Sequence, residues 1–207
     1  MNLFASLISF AVFFVLLMVA MNVKEFSHSW VAYKLGDTTA LYSGRLTLNP
    51  LAHIDIFWTV ILPLLFFITT GVFIAAAKPV PINYWALRNP KRDMVWIGAS
   101  GPLSNLALAV VLSILFKIIP LTPIISYILR SLVYINVMLG VFNLVPIPPL
   151  DGSRVVMGLL PDDLSSRYAA IEPYGFIIIV ILFGLGMLGR IIWHILSFIM
   201  YLLGVPF

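Results

Sequence analysis

The feature that most restricts the fold of this chain is a run of apolar residues from Leu3 to Val23, which ends at the charged stretch K-E-F-S-H at 24–28. About 20 apolar residues, at 1.5 Å of rise each, span the roughly 30 Å hydrocarbon core of a bilayer as one helix. Only 10% of the residues are charged and 62% are hydrophobic, so much apolar surface has to face lipid. We therefore predict a multi-pass integral membrane protein, folded as a single membrane-embedded domain over 1–207.

Further apolar runs predict an all-α polytopic fold. The first helix is expected to continue through the charged stretch to Leu35, where Gly36-Asp37 would end it. Together with two later runs it forms a predicted core of three transmembrane helices. Their expected bounds are 3–35, 94–119 and 127–160.

Three other segments complete the predicted architecture. The apolar run at 57–77 carries Pro63 and Gly71, and we expect it to enter and leave the membrane on one face as a re-entrant or extra segment. The run at 174–203 predicts a C-terminal helix, either one tilted span or a span followed by an interfacial helix. The polar, β-leaning segment 38–55 predicts a small hairpin or strand at the membrane face.

The charge pattern orients the chain and excludes several classes of protein. Arg88, Lys91 and Arg92 belong to the densest basic loop, and basic loops stay in the cytoplasm. Counting spans from that loop places the polar site toward the cytoplasmic side. A net charge of only +4 does not indicate a nucleic-acid partner. Since the chain has no cysteine, it has no thiolate metal site and no thiol nucleophile.

The candidate chemistry centres on Glu25, His28 and Asp151, because an ionisable residue at membrane depth is costly and therefore a functional candidate. The stretch 24–28 reads as H-E-x-x-H with its first histidine replaced by Lys24, and positions 24 and 28 share one helix face. Two imidazoles there would bind zinc, and the glutamate would accept a proton from water. A surface ion pair of Lys24 with Glu25 and a hydrogen-bonded interfacial His28 are the alternatives.

Polar residues elsewhere extend this set. Asp151 follows a proline-rich stretch in P-I-P-P-L-D-G, which suits either a positioned ligand or an ordinary Asp-Gly turn. His53 could reach the same face, although a loop histidine is the default interpretation. Asn105 and Asn143 lie in predicted helices, where interhelical hydrogen bonds are expected, and Asn143 could alternatively hold a substrate backbone.

At the level of whole motifs the chain resembles the site-2 protease family of intramembrane zinc metalloproteases, in its compact form without PDZ or CBS domains. The resemblance rests on five stretches: K-E-F-S-H-S-W-V-A-Y-K-L-G-D at 24–37, G-R-L-T-L-N-P-L-A-H-I-D at 44–55, A-K-P-V-P-I-N at 77–83, G-A-S-G-P-L-S-N at 98–105 and F-N-L-V-P-I-P-P-L-D-G-S-R at 142–154. It implies zinc-dependent hydrolysis of a peptide bond within or beside a transmembrane segment of another membrane protein.

The resemblance also assigns roles to residues. It implies that His28 and Asp151 bind zinc, that Glu25 is the general base and that Asn143 helps to hold the substrate backbone. The family's first ligand falls on Lys24, and a protonated lysine has no lone pair for a metal.

Three interpretations of Lys24 stay open at this point. The protein could be a non-catalytic pseudoprotease homologue that binds transmembrane helices, with Lys24 in the place of the metal. His53 could supply the missing ligand, or position 24 could carry an introduced residue in an otherwise active metalloendopeptidase. A small transporter or channel is a further rival, but such folds show repeated halves, which this sequence lacks. The substrate and the oligomeric state are left open.

Overall fold

The computed structural model describes residues 3–53, 61, 80–120 and 122–205. These residues are helical, without a strand among them. Three 3₁₀ turns, at Pro50–His53, Tyr84–Ala86 and Glu172–Tyr174, connect the α-helices. The helices are α1 (Leu3–Lys34), α2 (Thr39–Tyr42), α3 (Pro90–Ile118), α4 (Pro123–Asn143), α5 (Asp151–Leu159), α6 (Asp162–Ala169), α7 (Gly175–Gly184) and α8 (Met187–Leu203).

The described residues contain four segments that are long and apolar enough to cross a membrane. They are Phe10–Lys34, Pro90–Ile118, Pro123–Asn143 and Asp162–Gly184, and the shorter apolar helix Met187–Leu203 follows them. The predicted all-α, multi-pass membrane fold is therefore confirmed.

Helices α1, α3 and α4 pack against one another and form the centre of the fold. Helix α1 runs parallel to α4, since Leu17 and Ala20 pack against Ile135 while Lys24 reaches Asn143 further along both helices. Helix α3 runs antiparallel to both. The polar end of α1 is thereby brought against the small residues at the start of α3.

Two core helices begin earlier than predicted, at Pro90 rather than residue 94 and at Pro123 rather than residue 127. Proline is favoured in the first turn of a helix, where its missing N–H would have had no partner. Side chains complete these ends: the Asp93 carboxylate accepts from the Asn89 amide at 2.9 Å, and the Thr122 hydroxyl accepts from the Ile125 amide at 3.3 Å.

The predicted continuous helix at 127–160 is wrong, because the chain leaves the helix after Asn143 and forms a separate helix, α5, from Asp151. Prolines at 146, 148 and 149 have no N–H to donate to a preceding carbonyl, so the helix cannot continue through them. The break turns the chain and places the first residue of α5 beside α1.

One further structural prediction is wrong, and another concerns residues that lie almost entirely outside the described part of the chain. The hairpin or strand predicted at 38–55 is wrong, because the amides of Arg45 and Leu46 donate to the nearby carbonyl of Ala40 and the segment forms α2 and a 3₁₀ turn. The C-terminal run consists of α7 and α8, separated at Gly186, which has a φ of 71°. The segment predicted as re-entrant, 57–77, lies outside the described residues except for residue 61.

The proline-rich loop at 146–149 is held in place by the segment that follows α5. The Tyr168 hydroxyl donates to the Pro146 carbonyl at 2.7 Å, and Gly175 lies directly against the Pro148 carbonyl, where a Cβ atom would overlap the carbonyl oxygen. These contacts fix the loop that leads into Asp151.

We expect Gly175→Ala to destabilise the protein by about 1–3 kcal/mol, because the added methyl group has to displace backbone atoms at Pro148. Gly184→Ala, at the other end of α7, is the matched control, since nothing lies within 4 Å of its Cβ position. Chemical unfolding in detergent micelles would compare the two variants. Equal stability of both would show that the contact at Pro148 does not constrain the loop.

Candidate functional site

The charged end of α1 carries the first half of the site. Residues 24 and 28 are one turn apart on the helix, so both side chains face α3 and the start of α5. Glu25 and His28 are only 7% and 6% exposed. Gly101 on α3 lies against Lys24 and His28, and a side chain there would overlap the His28 ring. The small residue allows the two helices to approach at this point.

The ammonium group of Lys24 is the centre of the site. Its Nζ atom lies 3.2 Å from Asp151 Oδ2, 3.4 Å from Glu25 Oε1 and 3.5 Å from Asn143 Oδ1. An ammonium has three N–H donors, and these three oxygens can accept one each. Lys24 thus joins α1, α4 and α5 through two ion pairs and one hydrogen bond.

The His28 ring is oriented by α3. Its Nδ1 atom lies 2.8 Å from the Ile97 carbonyl oxygen, which can only accept, so Nδ1 carries the proton. In the neutral ring Nε2 then has a lone pair, and it lies 3.2 Å from Asp151 Oδ2. An imidazole that donates one N–H to a carbonyl and presents its other nitrogen to a carboxylate has the orientation of a metal ligand.

Asp151 is the first residue of α5 and reaches the site because two glycines allow close approach. Gly152 lies against the Leu144 carbonyl and Gly98 of α3 lies against the Asp151 carbonyl, and neither place has room for a Cβ atom. Burial on its own would raise the pKa of Asp151, but the positive charge of Lys24 acts in the opposite direction, and this pKa is below its ordinary value. The carboxylate is therefore held in its charged form.

Both carboxylate oxygens of Glu25 and both ends of the Asn143 amide have partners. Glu25 Oε2 accepts from the Val80 amide at 3.3 Å, on the side away from Lys24. Asn143 Nδ2 donates to the Leu139 carbonyl at 2.9 Å, which turns its Oδ1 atom toward Lys24. The partners at Val80, Ile97 and Gly101 were not predicted from the sequence, although the small residues of G-A-S-G-P were a signal for close packing.

His53 lies in the 3₁₀ turn Pro50–His53 and is 4% exposed. Its Nε2 atom lies 3.1 Å from the Thr47 carbonyl oxygen, and its Nδ1 atom has no hydrogen-bond partner in the described part of the chain. Within the residues that the structure describes, no group of three or more histidine, aspartate or glutamate side chains could hold a metal ion. The structure therefore does not bring His53 together with His28 and Asp151.

The donor set that is present does not fit a zinc ion. A catalytic zinc site needs three protein ligands and one open position. His28 and Asp151 offer two suitable donors, but the third place is taken by an ammonium group, which repels a dication and has no lone pair. Its two ion pairs also occupy the carboxylates that would otherwise meet a metal or a water molecule.

Comparison with known proteins gives a consistent family relationship. The family model described as Peptidase family M50 matches residues 119–183. The chain is 33% identical over 190 residues to "Putative zinc metalloprotease YwhC" of Bacillus subtilis, an alignment that covers 87% of this chain and 84% of YwhC. No solved structure gives a significant match.

Two more distant relatives are longer proteins. "Putative zinc metalloprotease Rip2" of Mycobacterium tuberculosis is 27% identical over 168 residues, which cover 80% of this chain and 64% of Rip2. "Zinc metalloprotease MJ0392" of Methanocaldococcus jannaschii is 28% identical over 184 residues, which cover 86% of this chain and 44% of the relative. The chain thus spans less than two thirds of these two relatives and most of YwhC.

Proposed function

Because this chain belongs to peptidase family M50, the site-2 protease family, we propose that it receives a transmembrane segment of another membrane protein beside Lys24. With lysine at position 24, it binds that segment without hydrolysing it. Two of its relatives are named as putative zinc metalloproteases. We attribute the absence of hydrolysis in this proposal to the lysine at position 24.

The observation that carries this proposal is the position of the Lys24 ammonium between Asp151, Glu25 and Asn143. A cation held between two carboxylates performs the electrostatic role of a bound metal, since it neutralises their charge and links three helices. It cannot act as a Lewis acid toward a peptide carbonyl or lower the pKa of a bound water molecule. The ammonium therefore holds the side chains of the site in place but cannot activate a water molecule as a metal ion would.

An apolar cleft next to Asn143 supports the binding of a transmembrane segment. The cleft has a volume of about 480 Å³ and opens beside the residues Leu144 to Ile147 that follow α4. Its lining also includes Leu106 of α3, Leu182 of α7 and the α8 residues Leu188, Ile192, Ile195 and Ile199. Apolar side chains of a segment that meets the Asn143 end of the site would fit this lining.

The proposed site faces the cytoplasmic half of the membrane. Arg88, Lys91 and Arg92 lie at the start of α3, and the positive-inside rule assigns this end to the cytoplasm. His28 contacts α3 within its first three turns, at Ile97. A transmembrane segment would therefore meet the site near its own cytoplasmic end.

A second candidate function, zinc-dependent intramembrane proteolysis, is favoured by the paired orientation of His28 Nε2 and Asp151 Oδ2. In that case His28 and Asp151 would hold zinc, Glu25 would act as general base and Asn143 would position the substrate backbone. This function requires a third donor in place of the Lys24 ammonium.

A photo-cross-linking experiment separates the two functions. A synthetic polyleucine transmembrane peptide with a central Asn-Pro pair and a benzophenone group would be mixed with the purified chain in lipid nanodiscs. We expect the unmodified chain to form a cross-link and to leave the peptide intact. Cleavage of the peptide by the unmodified chain, stopped by a zinc chelator, would contradict the proposal and establish the second function.

A pair of tryptophan variants tests whether the peptide binds in the apolar cleft. We expect Ile195→Trp to reduce the cross-link yield at least about five-fold, because its indole would occupy the lining next to Leu106. Ile114→Trp, at a position of α3 that is 50% exposed, should leave the yield unchanged. Equal yields from the two variants would show that the peptide binds elsewhere.

A further inference from the structure

Two asparagines in the centre of the helix bundle have buried polar atoms without a hydrogen-bond partner among the residues that the structure describes. Asn105 of α3 and Asn136 of α4 are both 0% exposed. Asn136 Nδ2 donates to the Leu132 carbonyl at 2.8 Å, but its Oδ1 atom and both polar atoms of Asn105 have no partner. The interhelical hydrogen bond predicted for Asn105 is therefore not formed. Buried amide groups are almost always satisfied by protein or by ordered water, because leaving them unpaired is costly.

Helix geometry places the two amides within about one turn of each other, on the faces of α3 and α4 that meet α1. Asn105 is one turn beyond Gly101, the residue that lies against Lys24 and His28 of α1. Asn136 is one turn before Gly140, which packs on the Pro102 carbonyl and the Leu106 side chain of α3. Since α3 and α4 are antiparallel and Gly140 is level with the stretch of α3 between Pro102 and Leu106, Asn136 lies about one turn deeper than Gly140, beside the turn of α3 that follows Asn105.

The two asparagines of α4 have the same arrangement at different depths. Asn136 and Asn143 each donate Nδ2 to the carbonyl four residues earlier, and they are two turns apart on one face. The Oδ1 atom of Asn143 accepts from Lys24, whereas the Oδ1 atom of Asn136 faces the interior without a donor. A donor is therefore missing at the deeper position.

We propose that ordered water binds between Asn105 and Asn136 and forms an internal hydration site in the bundle. A water molecule there can donate to the Oδ1 atoms of both residues, and a second can accept from Asn105 Nδ2. Ala20 and Ala109, both 0% exposed, lie one turn from Lys24 and Asn105 on the same faces, so that the neighbouring positions carry short side chains. Water with two or more polar partners is a stable part of a protein interior.

This site extends the polar interior of the protein one turn deeper into the bilayer than Lys24. It depends on the pairing of Asn105 with Asn136 and not on the chemistry at position 24. The inference therefore holds or fails independently of the proposed function.

A double-variant cycle in detergent tests the proposal. Asn105→Leu keeps the branched shape and the number of heavy atoms of the side chain but replaces the polar group by larger methyl groups, so it would expel the water and leave Asn136 Oδ1 buried and unpaired. We expect Asn105→Leu and Asn136→Leu each to lower Tm by about 2–4 °C. The double variant, which removes both polar groups, should recover most of that loss.

Ser113→Ala is the control for the cycle, since Ser113 of α3 is buried but already donates to the Val110 carbonyl at 2.8 Å. Its effect should add to that of Asn105→Leu without recovery. Single leucine variants that leave Tm unchanged or raise it, or losses that add in the double variant, would overturn the proposal. So would an experimental density map that resolves other buried waters and shows none between Asn105 and Asn136.

Discussion

Replacing Lys24 by histidine should give a variant that binds about one zinc ion per chain, whereas we expect the unmodified chain to bind none. The substitution removes the ammonium from the centre of the site and adds a second imidazole one turn from His28. His28 already donates Nδ1–H to Ile97 and directs Nε2 toward Asp151, so two of three ligands are in position. The third completes the donor set of a catalytic zinc site.

Metal content by mass spectrometry on detergent-purified protein measures this change. Lys24→Met is the matched control, because it removes the positive charge without adding a ligand and should stay free of zinc. Lys24→His combined with Asp151→Asn should lose most of the zinc that Lys24→His binds. One zinc per unmodified chain would contradict the assignment of Lys24 to the metal's place, and absence of zinc from the Lys24→His variant would show that the remaining donors do not form a site.

Replacing Lys24 by methionine should destabilise the protein by about 3–5 kcal/mol. Lys24 neutralises the carboxylates of Glu25 and Asp151, whose side chains are only 9% and 18% exposed. Breaking a buried ion pair by removing one partner leaves the other charge without compensation, and that cost exceeds the strength of the pair itself. Asn143 Oδ1 also loses its donor. The free energy of unfolding in mixed micelles measures the effect.

A second substitution and a surface variant test whether uncompensated carboxylate charge causes the destabilisation by Lys24→Met. Adding Asp151→Asn to Lys24→Met should recover part of the lost stability, because one of the two uncompensated charges is removed. Lys34→Met, at the exposed end of the same helix, should cost no more than about 0.5–1 kcal/mol, since Lys34 Nζ lies 5.6 Å from the centre of the Trp30 ring on the protein surface. If Lys24→Met were no more costly than Lys34→Met, Lys24 would not be the counterion of the site.

Comparing Lys24→Met with Lys24→His distinguishes the structural role of the positive charge at position 24 from the ability of the site to bind a metal. If the ammonium serves as a structural cation, Lys24→Met should unfold more easily, whereas Lys24→His should regain stability when zinc is added. Binding of a metal by the folded state alone raises stability by mass action. A zinc-dependent rise in Tm for the histidine variant, absent from the methionine variant, would link the two predictions.

Some features of the fold were predicted correctly because they depend on local sequence. The apolar runs determine where helices cross the bilayer. The helix predicted over 127–160 was wrong although its cause is local too, since the prolines at 146, 148 and 149 end a helix. Errors arose where side chains complete a helix end, as at Asn89 and Thr122, and where short-range backbone bonds favoured α2 over a hairpin. These contacts have no periodic signal in the sequence.

The sequence by itself determined the membrane-spanning helices, the family and the residue types of the site, because apolar periodicity and the spacing of a motif are properties of one segment at a time. Only the tertiary structure decided what Lys24 does. Its partner Asn143 is 119 residues away in the chain, and the ammonium reaches Asp151 only because glycines at 98, 101 and 152 let three segments approach closely. In the low-dielectric interior an ammonium at that point has to pair with the carboxylates it meets.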